Sequence, residues 1–286
     1  MANTLSASLI LDTLAKTTQT VIPNAILPWS RFTTDFTDDQ YVVNQGKAVQ
    51  VALATVAATA QTNATDWESG DTTVANVPIV LANKSVSFHL TPLQMNNSSK
   101  MQQLMQVNVQ GFRDALLDVI TGPMNGLHWT NFIEAAATFS ATNLRSIWST
   151  LTKSPQKNIV LNGSYYANFL PTSLTDIGAR TGLAGFDGFD YCSRWTGAGA
   201  NVLGFASGPQ AIGIATALPM YDDETKSDIN ATVINLDVAP GKTLPILMST
   251  WLARASRTRW VSLDVMIGAA KLDNSVGVLI KSGGTA

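Results

Sequence analysis

The residues that could do chemistry are few. The chain holds two histidines, His89 and His128, and one cysteine, Cys192, in 286 residues. A single cysteine cannot form an internal disulfide or a cysteine-rich metal centre. Two histidines supply little for a zinc site or an imidazole base. His89 ends an alternating strand pattern and His128 follows a glycine turn, so both read as structural or solvent-facing. Cys192 sits in Phe189-Asp-Tyr-Cys192 and reads as a small buried hydrophobe. Gly241-Lys242-Thr243 resembles the end of a phosphate-binding loop, but that loop needs a glycine five places before its second one, and Leu236 stands there. Gly197-Ala-Gly199-Ala-Asn-Val202 fails the dinucleotide fingerprint at its sixth place. It reads as a loop. Gly204-Phe-Ala-Ser-Gly208 has the wrong spacing for a nucleophile elbow. The acidic groups Asp222-Asp223-Glu224 and Asp35, Asp38 and Asp39 read as solvated loops. No catalytic residue, cofactor or metal follows from these patterns.

Composition narrows the class. Charged residues make up 13% and the net charge is −2, against about 25% charged residues in a typical soluble domain. A near-neutral chain does not grip nucleic acid by neutralising phosphates. Its polar positions carry Thr, Ser, Asn and Gln. Charge is depleted where surface is buried against partners, so the expectation is a protein that covers itself with other copies. Three places stand out as contacts. Arg254, Arg257 and Arg259 form the densest basic patch. Asp66-Trp67-Glu68 puts a tryptophan between acids in a polar stretch, where it could anchor an interface. Ile26, Leu27 and Trp29 lie in an apolar arm. No apolar run reaches the ~18 residues of a membrane span, and no secretory signal is expected at the start.

The elements that must carry these residues can be read in order. Pro23 and Pro28 forbid a regular helix through residues 21–29, so 1–46 is expected to be an extended arm after a short helix over 6–16. Residues 47–60 alternate loosely. Val86, Phe88 and Leu90 alternate strictly, and together these segments predict a long β-hairpin over 47–90. Asn97 or Ser98 can cap a helix. Met101, Leu104, Met105, Phe112, Leu116, Val119 and Ile120 then recur at three- and four-residue steps, and Gly122-Pro123 ends the run. That helix, over 97–121, would span about 36 Å. A compact chain of this length has a radius of gyration near 19 Å, so a flat or elongated subunit is expected. A second helix is predicted over about 141–153 and short helices over 164–170 and 173–179. Strands are predicted over 158–161, 189–195, 211–217, 232–236, 246–252, 260–267 and 276–280. An isolated hairpin is marginally stable and its edges invite pairing. The arm and hairpin are therefore expected to clamp neighbouring subunits.

This order of elements is specific. So are Lys157-Asn-Ile-Val-Leu-Asn-Gly-Ser-Tyr-Tyr-Ala-Asn-Phe-Leu170, Val202-Leu-Gly-Phe-Ala-Ser-Gly-Pro-Gln-Ala-Ile-Gly213 and the terminal Gly277-Val-Leu-Ile280. In these the chain resembles the major capsid proteins of tailed bacteriophages with the Hong Kong 97-like fold. The resemblance implies an α+β fold with an N-terminal arm (1–46), an extended β-hairpin loop (47–90), a peripheral domain with a long spine helix (91–157) and an axial domain with a central sheet (158–286), its final strands returning to the peripheral domain. It implies a shell protein, not an enzyme, that self-assembles in hexamers and pentamers around a double-stranded DNA genome. It implies portal and scaffolding partners, a decoration protein, packaged DNA bound without sequence specificity, and a place in the virion after assembly in the host cytoplasm. An encapsulin-like shell enclosing cargo enzymes is the alternative.

Overall fold

The computed structural model describes residues 7–32, 36–38, 48–56, 73–95, 97–125, 129–170, 185–199, 201–219, 229–253, 256 and 258–283. The chain opens with helix α1 (Ala7–Ser30), then strands β1 (Phe36–Asp38), β2 (Ala48–Val56), β3 (Thr73–Val80) and β4 (Ala82–Leu90). Helices α2 (Pro92–Met95) and α3 (Ser98–Thr121), strand β5 (Thr130–Ile133) and helix α4 (Ala141–Thr150) follow. Next come β6 (Asn158–Leu161), α5 (Gly163–Tyr166) and β7 (Gly188–Tyr191). The rest is strand: β8 (Val202–Ser207), β9 (Ile212–Ala217), β10 (Asn230–Ala239), β11 (Lys242–Ala253), β12 (Thr258–Lys271) and β13 (Gly277–Lys281).

Helix α3 forms where capping and spacing place it. The Asn97 side chain accepts the Lys100 backbone N–H at 3.1 Å, and Met101, Met105, Val109, Phe112, Leu116 and Ile120 are buried along one face. Helix α1 corrects the expectation of an extended arm, because it runs through both Pro23 and Pro28. A proline inside a helix removes a hydrogen bond and costs about 3 kcal/mol. Tertiary burial offsets that cost: Ile10, Leu14, Thr18, Ile22 and Ile26, four residues apart, are all buried, and the helix packs on α3 and β10. Thr18 satisfies its hydroxyl by donating to the Leu14 carbonyl at 2.8 Å.

Two sheets organise the body. The larger is ordered β1-β9-β12-β11-β10, with β4 also on β12. Met266 and Ile267 of β12 pair with both β4 and β9, so β4 lies along one edge of β12 while β11 and then β9 share the other. The smaller sheet is ordered β5-β13-β8-β6-β7. Both draw on one main core. Val261, Leu263, Val265 and Ile267 of β12 and Val160, Phe205 and Leu279 of the smaller sheet enter it with the buried faces of α1 and α3. Ile159, Leu161, Ala206, Val278 and Ile280 point the other way, into a second core with α4 and Tyr165. The central strands of the smaller sheet, β6, β8 and β13, are covered on both faces, which is why they read as nearly continuous apolar runs.

The strands predicted at 158–161, 211–217, 232–236, 246–252, 260–267 and 276–280 all exist, the later ones longer than expected. Strands β5 and β8 are additions to that expectation. Residues 230–271 lie in the sheet of β4, and the last strand, β13, lies between β5 and β8. The predicted helix at 173–179 lies outside the described residues.

Strands β2 and β3 form the expected hairpin, with Val49 opposite Ile79 and Val51 opposite Val77. Strand β4 leaves it for the larger sheet. The hairpin base is not free: Val49, Val51, Ile79 and Leu81 pack on Ala215, Ala217, Met266 and Leu272. The connection that would carry Asp66, Trp67 and Glu68 lies outside the described residues.

Candidate functional site

The residues with chemical potential are scattered. His89 is exposed on β4, its ring 5.3 Å from Trp260. His128 lies outside the described residues. Cys192 is buried, its thiol donates to the Arg194 carbonyl at 3.4 Å, and burial pushes its pKa up. A thiol so placed is a poor nucleophile. Lys242 follows the β10–β11 turn and donates to the Ser30 carbonyl at 2.5 Å, so the phosphate-loop likeness resolves into a cap on α1. Among the described residues no group of three His, Cys, Asp or Glu side chains could hold a metal ion. The clefts are open and polar. One of about 380 Å³ lies between α1 and α3, lined by Thr13, Lys16, Thr17, Thr20, Gln102 and Gln106. Another, of about 570 Å³, lies at the end of α1 beside Arg31, Asn158, Asp187 and Lys242. Neither pairs a nucleophile with a base.

The three expected contact sets fare differently. Ile26 and Trp29 turn inward, which corrects their assignment as contacts: both are fully buried in the protein's own core. Trp29 meets Trp195 edge-on at 5.3 Å and Phe32 at 5.8 Å. Leu27, on the opposite side of the helix, is exposed. Arg259 is half-buried on β12, in register with Leu252 and Leu90. Arg254 and Arg257, like Asp66, Trp67 and Glu68, lie outside the described residues.

Two polar ties hold the halves together. Arg194 grips Asp118 of α3 through two bonds of 2.9 and 2.7 Å and approaches Asp114 at 3.8 Å. Its neighbour Gly197 lies so close to α3 that a Cβ there would come within 2.0 Å of the Asp118 carbonyl oxygen. Arg31, just past α1, faces Asp190 of β7 at 3.0 Å. Burial raises the Asp190 pKa, and Arg31 opposes the shift.

What the molecule offers outward is surface. Leu93, Val107, Val80, Ile133, Leu252 and Val233 are large, apolar and exposed, Leu93 to 76%. Sequence reasoning named none of them as contacts. The signal for Val233 was available: it is an apolar residue in an uncharged stretch of strand, where a charge or proline ordinarily guards an edge. At the sheet margins, β5 and β7 are four residues each, while β10 is ten residues long and, among the described residues, paired only with β11.

No protein-family model matches the chain, and no curated protein resembles it in sequence. Solved structures do resemble it. The capsid of the cyanophage P-SCSP1u superposes with a TM-score of 0.51 at 9% identity, over 88% of this chain and 88% of that one. A chain from Gordonia phage Cozz gives 0.53 at 9% identity, over 91% and 87%. The virus-like particle from Pyrococcus furiosus gives 0.55 at 8% identity, over 94% and 98%. The chain therefore has the Hong Kong 97-like capsid fold, an α+β architecture covering nearly all of its length.

Proposed function

We propose that this chain is the major capsid protein of a tailed bacteriophage, self-assembling in hexamers and pentamers into an icosahedral shell around double-stranded DNA. The observation that carries this reading is the shared fold, which spans about nine-tenths of both this chain and the cyanophage capsid chain. The role is structural and needs no catalytic residue. The scattered chemistry, open polar clefts and exposed apolar side chains are in keeping with it.

In this reading the smaller sheet with α4 and α5 is the axial domain. Helix α3, the spine, and the larger sheet are the peripheral domain, and β2–β3 is the extended loop. Leu27, Arg259 and, from the sequence, Arg254, Arg257, Asp66, Trp67 and Glu68 contact neighbouring subunits. Portal and scaffolding proteins, and a decoration protein on the outer surface, are the expected partners. Packaged DNA is enclosed without being gripped, since the chain carries a net charge of only −2. Assembly takes place in the host cytoplasm, and no helix among the described residues is long and apolar enough to cross a membrane.

The test is to express the chain and image it in negative stain, alone and with neighbouring gene products. Closed shells that protect DNA from nuclease support the proposal. Discrete monomers under every condition refute it. A second reading, an encapsulin-like compartment, draws on the likeness to the Pyrococcus virus-like particle. Shells filled with a cargo enzyme instead of DNA would select it.

A further inference from the structure

Strand β10 is the long bare edge of the larger sheet. Its inner half is built in: Leu236 and Val238 enter the core. Its first residues are not. Asn230, Ala231, Thr232 and Val233 are all exposed, whichever face they point to, and Ile234 is half-buried. Their partners on β11, Ile246 to Thr250, are all buried. Residues 230–236 carry no charge and no proline, and the only charge on the strand, Asp237, sits at a bulge near its far end. Proteins blunt such edges by shortening, charging or covering them. Strands β5 and β7 are short. Strand β4 carries Lys84 and His89 and lies against α3. Among the described edges of the two larger sheets, β10 is the one left with none of these devices.

We propose that β10 pairs with β10 of a second copy, antiparallel across a two-fold axis, so that the larger sheets of two subunits become one. The occupant is a second copy because the edge is self-complementary, as a two-fold contact requires. With the axis at Val233, Val233 faces itself, Thr232 faces Ile234 and Asn230 faces Leu236. This register buries the one large apolar side chain exposed on the strand against its own copy. It places Asp237 opposite Ile229, about 26 Å from its symmetry mate. That exceeds the ~8 Å screening length of physiological salt, so the two acids do not repel. Main-chain hydrogen bonds supply affinity and the Val233 pair sets register. A single strand seam is small beside the ~1,200 Å² of a stable interface. The contact is therefore weak in solution and cooperative in an array. It deepens the shell reading, and rests on it only in requiring copies at high local concentration.

The test is disulfide trapping. In Val233→Cys the two sulfurs face each other, within the Cα separation a disulfide spans, whereas in Asn235→Cys the two positions are about 13 Å apart and out of reach. The buried Cys192 leaves little background, and the unmodified chain is the blank. Soluble and assembled fractions are oxidised separately and resolved without reductant. The expected result is a covalent dimer from Val233→Cys in at least tenfold excess over Asn235→Cys, in the assembled fraction or in concentrated soluble protein. Absence from both fractions, or equal yields from the two variants, overturns the pairing. Val233→Asp gives a second readout. Opposed carboxylates should weaken self-association at least tenfold with an unmoved melting temperature, and unchanged association overturns the pairing. Imaging of the unmodified chain reports on the shell independently. Shells with no covalent dimer from Val233→Cys sink the pairing alone, and a covalent dimer from that variant without shells sinks the shell reading alone.

Discussion

The two sheets bury their second faces with different chemistry. In the smaller sheet, Ile159, Leu161, Ala206, Val278 and Ile280 meet an aromatic second core, where Phe139 stands edge-on to Tyr165 at 4.9 Å. In the larger sheet the corresponding face of β11 and β12 sets buried Ser249, Ser262 and Asp264 among Leu247, Met266 and the stacked Trp251–Trp260 pair, with Ser262 donating to Asp264 at 2.7 Å. Ser249, Ser262 and Ser87 stand in register across three strands. An apolar face is stabilised by the area it removes from water. A hydroxyl-and-carboxylate face is at best neutral unless every group finds a partner. The smaller sheet is thus the rigid hub. The larger is a platform whose outer strands are partly open: β4 alternates between covered and exposed positions, and the first four residues of β10 are all exposed.

The contrast can be broken most directly by truncation. Ile159→Ala should lower stability by about 2–5 kcal/mol, a buried apolar loss, whereas Asp264→Ala should cost about 1–3 kcal/mol by removing the carboxylate acceptor of Ser262 and leaving it only the longer 3.4 Å contact with Ser85. Denaturant titration of both variants ranks them, and a larger loss for Asp264→Ala would reverse the assignment of hub and platform. A smaller effect tests the tie between hub and spine helix. Arg194→Ala removes a bidentate pair whose side chains are more than a quarter exposed. Solvent screening limits the loss to about 0.2–1 kcal/mol, and the difference from the unmodified protein should shrink in high salt. The smallest effect is on pH dependence. Burial raises the Asp190 pKa, so the folded protein holds that proton more tightly than the unfolded chain, whose aspartates titrate near pH 3.9. The contribution of this group to stability is present at acid pH and lost as pH rises past that value through the folded pKa. Asp190→Asn should flatten that part of a melting-temperature profile, and an unchanged profile would remove Asp190 as its source.

Local rules made the spine helix and the later strands legible. Asn97, the apolar spacing of α3 and the alternation of β4 and β12 each state their element without help from elsewhere. Helix α1 carried its own signal in Ile10, Leu14, Thr18, Ile22 and Ile26, but two prolines outweighed it, because the packing that overrides them is tertiary. Strand β8 hid behind its glycines. Gly204 looks like loop punctuation, yet a Cβ there would meet Leu161 at 2.9 Å and Ile280 at 3.1 Å. It marks close approach of neighbouring strands. The inward turn of Ile26 and Trp29 was not legible for the same reason: an apolar arm reads alike whether it covers its own body or another. The uncharged stretch around Val233 is visible in the sequence, but that it forms an edge is disclosed only by the sheet order.

Strand β13 joins β5 to the rest of the smaller sheet, and it follows every other described strand. During synthesis the hub must wait for it, with β5 and β8 held as loose neighbours until residues 277–281 emerge. Such long-range closure is slow. A chain in which residues 277–281 have not yet emerged has no finished hub. The order in which the smaller sheet closes is thereby set by topology alone.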